Sequence, residues 1–258
     1  MFKIALDAGH GMNTPGKRCL KSLDPKETRE WFLNDRIADM VEKKLAVYEG
    51  YELMRVDDPM GIKDVPLSVR TNVANMWGAD FYLSIHADAG IEGGYGGGIS
   101  SIVYTHASEK SLECQKIIYD ELISATSLVG NRVVPLPRQN LQVLRETNMP
   151  AVLVECGFMD SATDVPIILT DEFAEKAAEG FVAALVIIGK LTKRKEADVN
   201  EKIFLDTKGH FAEKDINELF KMGIVNGKTE ERFMPNEPIT RGEVAAIARR
   251  VIRYITGK

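Results

Sequence analysis

Met1-Phe2-Lys3-Ile4-Ala5-Leu6-Asp7-Ala8-Gly9-His10-Gly11 opens the chain with a short apolar run that breaks into a glycine-flanked histidine. A run of this length, bounded by glycine, reads as a strand over Phe2 to Asp7. Similar runs follow at Glu52 to Val56, Phe81 to His86, Ile99 to Thr105 and Ala151 to Glu155. Between them fall helical patterns, roughly Lys26 to Val47, Leu67 to Trp77, Glu109 to Ser124 and Asp171 to Lys190. Short apolar strands alternating with helices predict an α/β fold, a mostly parallel twisted sheet flanked by helices. In open sheets of this kind ligands bind beyond the carboxyl ends of the strands. His10, His86 and Glu155 all fall at such ends.

With 258 residues the chain has room for one full-sized domain and one small one. Apolar residues make up 45% and charged residues 28%, a balance that suits a sizeable core with a soluble surface. The net charge of −5 gives no reason to expect a nucleic-acid partner. Cys19, Cys114 and Cys156 are an odd set at unrelated spacings, which implies no disulfide framework. The longest apolar stretch, near Phe181 to Ile188, is too short to span a bilayer. No signal-peptide pattern precedes the first strand, so the expectation is a protein made and folded in the cytoplasm.

A charged, apolar-poor run from Lys190 to Asp198 reads as a linker. The expected organisation is a catalytic domain over 1–190, a linker over 191–202 and a small α-helical module over 203–258. The module carries two helical patterns joined by a loop rich in Gly, Pro and Asn.

The candidate chemistry lies in four segments. His10 sits between glycines that let the backbone turn and leave the imidazole uncovered, with Asp7 a possible orienting partner for the ring. His86 ends a strand in Ser84-Ile85-His86-Ala87-Asp88, a polar setting. His106 and His210 lack such a setting and read as surface or packing residues. Asp24-Pro25-Lys26-Glu27 fits a helix start with Glu27 closing a capping box. Glu30 then lies on the helix face marked by Leu33, Ile37, Met40, Val41 and Leu45, where a carboxylate needs a positive partner or a metal. The plain alternative for Glu30 is a salt bridge to a distant Lys or Arg. Glu155 ends the most apolar strand, where partial desolvation would raise its pKa toward the range of a general base. Its plain alternative is an ion pair with Arg138 or Arg145. Two histidines and a glutamate as ligands, with a second carboxylate outside the ligand set, are the inventory of a hydrolytic zinc site.

At these residues the chain resembles the zinc-dependent N-acetylmuramoyl-L-alanine amidases of the amidase-3 family. The likeness covers about 1–190. It runs through Leu6 to Gly11, Glu30 with Leu33-Asn34, Arg70, Ala74-Asn75, Ser84 to Ala87, Val143-Leu144-Arg145 and Pro150 to Phe158. The resemblance implies that His10, Glu30 and His86 bind Zn²⁺ and that Glu155 is the catalytic carboxylate. The reaction implied is hydrolysis of the amide joining muramic acid to L-alanine in peptidoglycan. Asp88 stands where the family usually has Asn, and Asp160-Ser161 replaces its usual Ser-Asn; both bear on substrate contacts more than on the chemistry. No residue stands out as a second oxyanion contact.

Residues 203–254 resemble a surface-layer homology (SLH) repeat. The likeness includes Phe204-Leu205-Asp206, Gly209 to Ala212, Gly223 to Gly227, Phe233 to Asn236 and Ile239 to Glu243. Thr240 and Glu243 also form a capping box before an apolar helical pattern. Arg241 then sits at a helix N-terminus, where the dipole disfavours a cation. That placement suggests an anionic partner, the acidic secondary cell-wall polymer that the family binds. Arg241, Phe211, Asn226 and Gly227 are the candidate contacts. The family often has Trp where Phe211 stands and Ala where Gly242 stands. Its repeats commonly occur in threes, so a lone copy suggests self-association or weak binding strengthened by avidity. Together these likenesses point to a phage or prophage endolysin that reaches the wall after membrane permeabilisation. The alternatives are a zinc peptidase cutting within the stem peptide and a non-catalytic wall-binding protein.

Overall fold

The structure, a computed structural model, describes residues 1–130, 135–194, 204–229 and 231–256. In chain order the elements are β1 (Phe2–Ala8), α1 (Glu30–Leu45), β2 (Tyr48–Glu49), β3 (Tyr51–Arg55), α2 (Leu67–Trp77), β4 (Phe81–Asp88), β5 (Ile99–Tyr104) and α3 (Glu109–Ala125). There follow β6 (Arg138–Gln139), α4 (Gln142–Arg145), β7 (Ala151–Phe158), α5 (Val165–Ile168), α6 (Asp171–Gly189), β8 (Thr192–Lys193), α7 (Glu213–Lys221) and α8 (Arg241–Thr256). The chain divides into two compact units, Met1–Arg194 and Lys195–Lys258.

The first unit is built on a six-stranded sheet in the order β3-β1-β4-β7-β5-β6. β3, β1, β4 and β7 run parallel, as expected for strands joined by helical crossovers. β5 runs antiparallel to β7. The physical reason is the connection: the glycine-rich segment 89–98 holds no helix that would return the chain to the starting end of the sheet. One face buries Leu6, Leu83, Ile85, Val152 and Val154 with Leu33, Ile37 and Val41 of α1, Cys114, Ile118 and Leu122 of α3, and Phe181 and Leu185 of α6. The other face buries Ala5, Tyr82, Ile102 and Leu153 with Ala74 of α2 and Val143 and Leu144 of α4. All three cysteines are buried and unpaired, and burial pushes the Cys19 thiol up to about 12, as suits packing rather than reactive thiols.

Two expectations change. The first long helix begins at Glu30, not near Lys26. Asp24 accepts hydrogen bonds from the Lys26 and Thr28 amides, 3.1 and 2.7 Å, and so closes a turn instead of capping a helix. Glu27 stands at φ 50°, outside helical conformation, and pairs with Arg18 and Lys21, so the expected capping box does not form. At the other end, Leu191 is buried and Thr192–Lys193 pair with Tyr48–Glu49, which ties residues expected to begin the linker onto the first unit. Residues 195–203 lie outside the described residues.

In the second unit Phe204, Ile216, Ile224 and Val225 are buried, and the Phe204 ring meets Phe220 and Phe233 at centroid distances of 5.0 and 5.4 Å. The expected capping box is present: Glu243 N donates to Thr240 Oγ1 at 3.2 Å and Thr240 N donates to Glu243 Oε2 at 2.7 Å. Among the described residues no helix is long and apolar enough to cross a membrane.

Candidate metal centre and its surroundings

β1 delivers His10 just past its carboxyl end, β4 delivers His86, and α1 begins at Glu30. His10 holds a left-handed backbone, φ 68°, an arrangement that needs support for a residue other than glycine. Arg70 supplies it. Its guanidinium donates to the carbonyls of Ala8 at 2.8 Å and His10 at 2.9 Å while pairing with Asp7 at 2.5 Å. Asp7 also accepts from Tyr82 at 3.1 Å and Ser84 at 2.7 Å. Asp7 therefore does not orient the His10 ring, as its sequence position had suggested; it anchors the arginine that holds the His10 main chain. Beside it, a Cβ on Gly9 would run into the His86 imidazole, so only glycine lets that ring lie over the β1 turn.

The three side chains converge. Their candidate ligand atoms all lie within 4.8 Å of one another, and among the described residues this is the group of His, Cys, Asp and Glu able to hold a metal ion. The imidazoles of His10 and His86 stand edge to face, centroids 4.9 Å apart. Glu30 is 1% exposed between them: Oε1 lies 3.0 Å from His86 Nδ1 and accepts from the Ala87 amide at 3.2 Å. Oε2 faces His10 Nε2 at 3.3 Å, yet neither of those buried atoms has a hydrogen-bond partner. Burial alone would raise the Glu30 pKa, but the close approach of the His10 and His86 imidazoles outweighs it and holds the carboxylate well below its usual range. An ionised, buried carboxylate facing an imidazole nitrogen without a hydrogen bond is an arrangement that a cation satisfies. The residues fit a metal.

Glu155 sits on β7 directly opposite His86 in the parallel β4–β7 register. It stays outside the ligand cluster, in keeping with a role other than ligand. Its Oε2 is buried without a hydrogen-bond partner, and burial, reinforced by the charges of Glu30 and Asp88, pushes its pKa up to about 8 against the opposing pull of His86 and Lys17. Of the two arginines named as ion-pair partners, Arg145 turns instead to Glu146 and Asn140. The plain alternative for Glu30 is half realised, since Lys17 Nζ lies 3.5 Å from Oε2. The sequence reading assigned no role to Lys17. Its only signal was a basic residue in the loop between two candidate ligands.

Asp160 and Ser161 have an architectural job. Asp160 Oδ2 accepts from the amides of Gly90, Ile91 and Glu92, each at 2.8 Å, and Ser161 Oγ bonds the Gly96 carbonyl. They tie the segment after His86 to the segment after Glu155. In the second unit, Asn226 and Gly227 line a cavity of about 380 Å³ with Lys228, Phe233, Glu243 and Arg250, whereas Phe211 and Arg241 do not line it. Phe211 is 94% exposed. Gly227 has a packing reason of its own, because a Cβ there would strike Phe204 and two backbone carbonyls.

Residues 4–186 match the N-acetylmuramoyl-L-alanine amidase family (Amidase_3), and residues 203–245 match the S-layer homology domain. The chain is 35% identical over 190 residues to the sporulation-specific N-acetylmuramoyl-L-alanine amidase of Bacillus subtilis, covering 72% of this chain and 67% of that protein. It is 31% identical over 133 residues to the endolysin of Bacillus phage SPP1, covering 52% of this chain and about half, 49%, of that one. The crystal structure of an N-acetylmuramoyl-L-alanine amidase from Clostridium difficile superposes with a TM-score of 0.65 at 27% identity, covering 72% of this chain and 95% of that one. The catalytic domain of CwlV from Bacillus (Paenibacillus) polymyxa shares the fold with a TM-score of 0.65 at 23% identity, covering 74% of this chain and 100% of that one. The chain belongs to the N-acetylmuramoyl-L-alanine amidase family, the peptidoglycan amidases, and carries an S-layer homology domain in its C-terminal part.

Proposed function

We propose that this amidase cuts the bond between N-acetylmuramic acid and L-alanine with Zn²⁺ held by His10, Glu30 and His86, and with Glu155 moving the proton. The observation that supports it most is the pair of buried atoms, His10 Nε2 and Glu30 Oε2, facing each other without a hydrogen bond. Two imidazoles and one carboxylate are a donor set suited to zinc. When bound there, the cation supplies Lewis acidity that polarises the amide carbonyl and lowers the pKa of water. Glu155 takes the proton of the attacking water, which is why its raised affinity for protons matters, and then hands that proton to the departing alanine nitrogen. Arg70 and Gly9 keep the two imidazoles in place. Gly9→Ala is expected to push His86 aside and weaken divalent-cation binding by roughly tenfold or more, read by competition with a chelator.

The biological setting we propose is lysis by a phage- or prophage-encoded endolysin, made in the cytoplasm and admitted to the wall when the membrane is permeabilised. The phage endolysin among the relatives favours it; the sporulation amidase favours a second reading, a host enzyme of spore development. The S-layer homology domain then holds the enzyme at the wall, with an anionic secondary cell-wall polymer as its partner and self-association of single modules as a means of raising avidity. Of the candidate contacts, Asn226 and Gly227 border the cavity, while Arg241 and Phe211 would have to meet polymer outside it.

Purified peptidoglycan digested by the full chain should release intact stem peptides with free N-terminal alanine by mass spectrometry. Chelator should abolish release and zinc should restore it. Cuts inside the stem peptide would refute the bond assigned. Expressed in a bacterial cytoplasm, the enzyme should leave cells intact until a membrane permeabiliser is added; spontaneous lysis would refute the setting.

A further inference from the structure

The loop between His10 and α1 brings a cation to the same centre. Lys17 Nζ stands 3.5 Å from Glu30 Oε2, the oxygen that faces His10 without a hydrogen bond. Its basic neighbours are engaged elsewhere: Arg18 and Lys21 pair with Glu27, and Arg29 reaches the Thr14 carbonyl. Lys17 turns inward instead. Its main chain is fixed there, because Lys17 O accepts from the Glu30 amide at 3.1 Å and Arg18 and Arg29 form an antiparallel bridge. The Lys17 side chain is 44% exposed while Glu30 is 1% exposed, so the ammonium stands at the boundary between the buried ligands and solvent. Lys17 is also among the charges that act on Glu155.

A purely structural ion pair is a poor account of this placement. A divalent cation bound to Glu30 over-neutralises that carboxylate, and an ammonium beside it is then repelled from the ligand set. Apart from the Glu155 carboxyl, on which its charge also acts, the anion left to it is the one the reaction generates. We propose that Lys17 is a catalytic residue of the amide hydrolysis, donating a hydrogen bond to the scissile carbonyl oxygen as negative charge collects there. This rests on the proposed roles of His10, Glu30, His86 and Glu155. In the addition step the water oxygen bonds to the carbonyl carbon, the carbonyl π pair moves onto oxygen facing the Lys17 ammonium, and Glu155 takes the water proton. In the collapse the C–N bond breaks, the pair returns to the carbonyl, and Glu155 protonates the alanine nitrogen. Lys17 keeps its proton throughout.

The test measures kcat and KM on a soluble muramoyl peptide for Lys17→Met, Lys17→Gln and Lys17→Arg, together with Co²⁺ affinity and the Co²⁺ absorption spectrum of each full-length protein. Loss of a single oxyanion donor lowers kcat by about 10²–10³-fold. That loss is expected for Met and Gln, with KM nearly unchanged, the Co²⁺ spectrum unaltered and Co²⁺ bound at least as tightly as in the parent. Arg should recover part of kcat. Unchanged kcat in both neutral variants would overturn the proposal. So would a kcat loss accompanied by weaker Co²⁺ binding or a changed spectrum, which would make Lys17 a support for the ligands. Glu155→Gln, run alongside, separates the two levels: if it retains turnover, the underlying assignment of the base has failed, whatever Lys17 shows.

Discussion

Glu155→Gln is expected to lower amide hydrolysis by roughly 10³-fold or more while leaving the metal-binding residues intact. The amide matches the carboxylate in shape but takes no proton from water and has none to return to the leaving nitrogen. The same change should stabilise the metal-free protein above mildly acidic pH. The Glu155 carboxyl holds its proton up to about pH 8 in the fold, whereas in the unfolded chain it releases it near the ordinary glutamate value of 4.5. Between those two values the folded state binds more protons than the unfolded state, so wild-type stability falls as pH rises through that window and levels off above it. Gln removes that loss. The expected gain is on the order of 2 kcal/mol at pH 8, less than full burial would give because Glu155 is partly open to solvent. Thermal melts of the chelated proteins at pH 5 and pH 8 check it: the difference between variant and parent should be near zero at the lower pH and several degrees at the higher. An equal difference at both would show that burial does not set the proton affinity of this carboxyl.

Arg70→Met should be the most destabilising single change near the site, about 3–5 kcal/mol, with a fall in Tm of about 10 °C or more. Arg70 and Asp7 are each 1% exposed, and removing the guanidinium leaves a buried carboxylate held only by the hydroxyls of Tyr82 and Ser84. It also frees the carbonyls of Ala8 and His10, so the strained His10 turn loses its support and metal affinity should fall along with stability. Adding Asp7→Leu to Arg70→Met removes the stranded charge and should recover part of the stability but none of the metal affinity. Recovery of both would show that the arginine does not position His10.

Much of this was readable from residue order. The period of the apolar runs reported β1, β3, β4, β5 and β7 and the helices α2, α3 and α6 to within a few residues, because burial on both faces imposes it. The short pieces β2, β6, β8, α4 and α5 carried no such period and went unread. The start of α1 was misread because Asp24, Pro25 and Glu27 have the residue types of a capped helix; which amides the Asp24 carboxylate meets depends on how the loop closes against Arg18 and Lys21.

The sequence by itself determined which residue types stand at the strand ends and helix start, and hence His10, Glu30, His86 and Glu155 as candidates. Local order is enough for that, because a strand's carboxyl end and a helix's first turn are set by nearby residues. Only the tertiary structure decided that three of them converge within 4.8 Å and that Glu155 stands beside them but outside the cluster. It also decided that Asp7 serves Arg70 rather than the His10 ring, and that Lys17 turns inward while Arg18 and Lys21 do not. These partners come from different strands, helices and loops, and a charged side chain is directed by whichever opposite charge the folded chain places within reach.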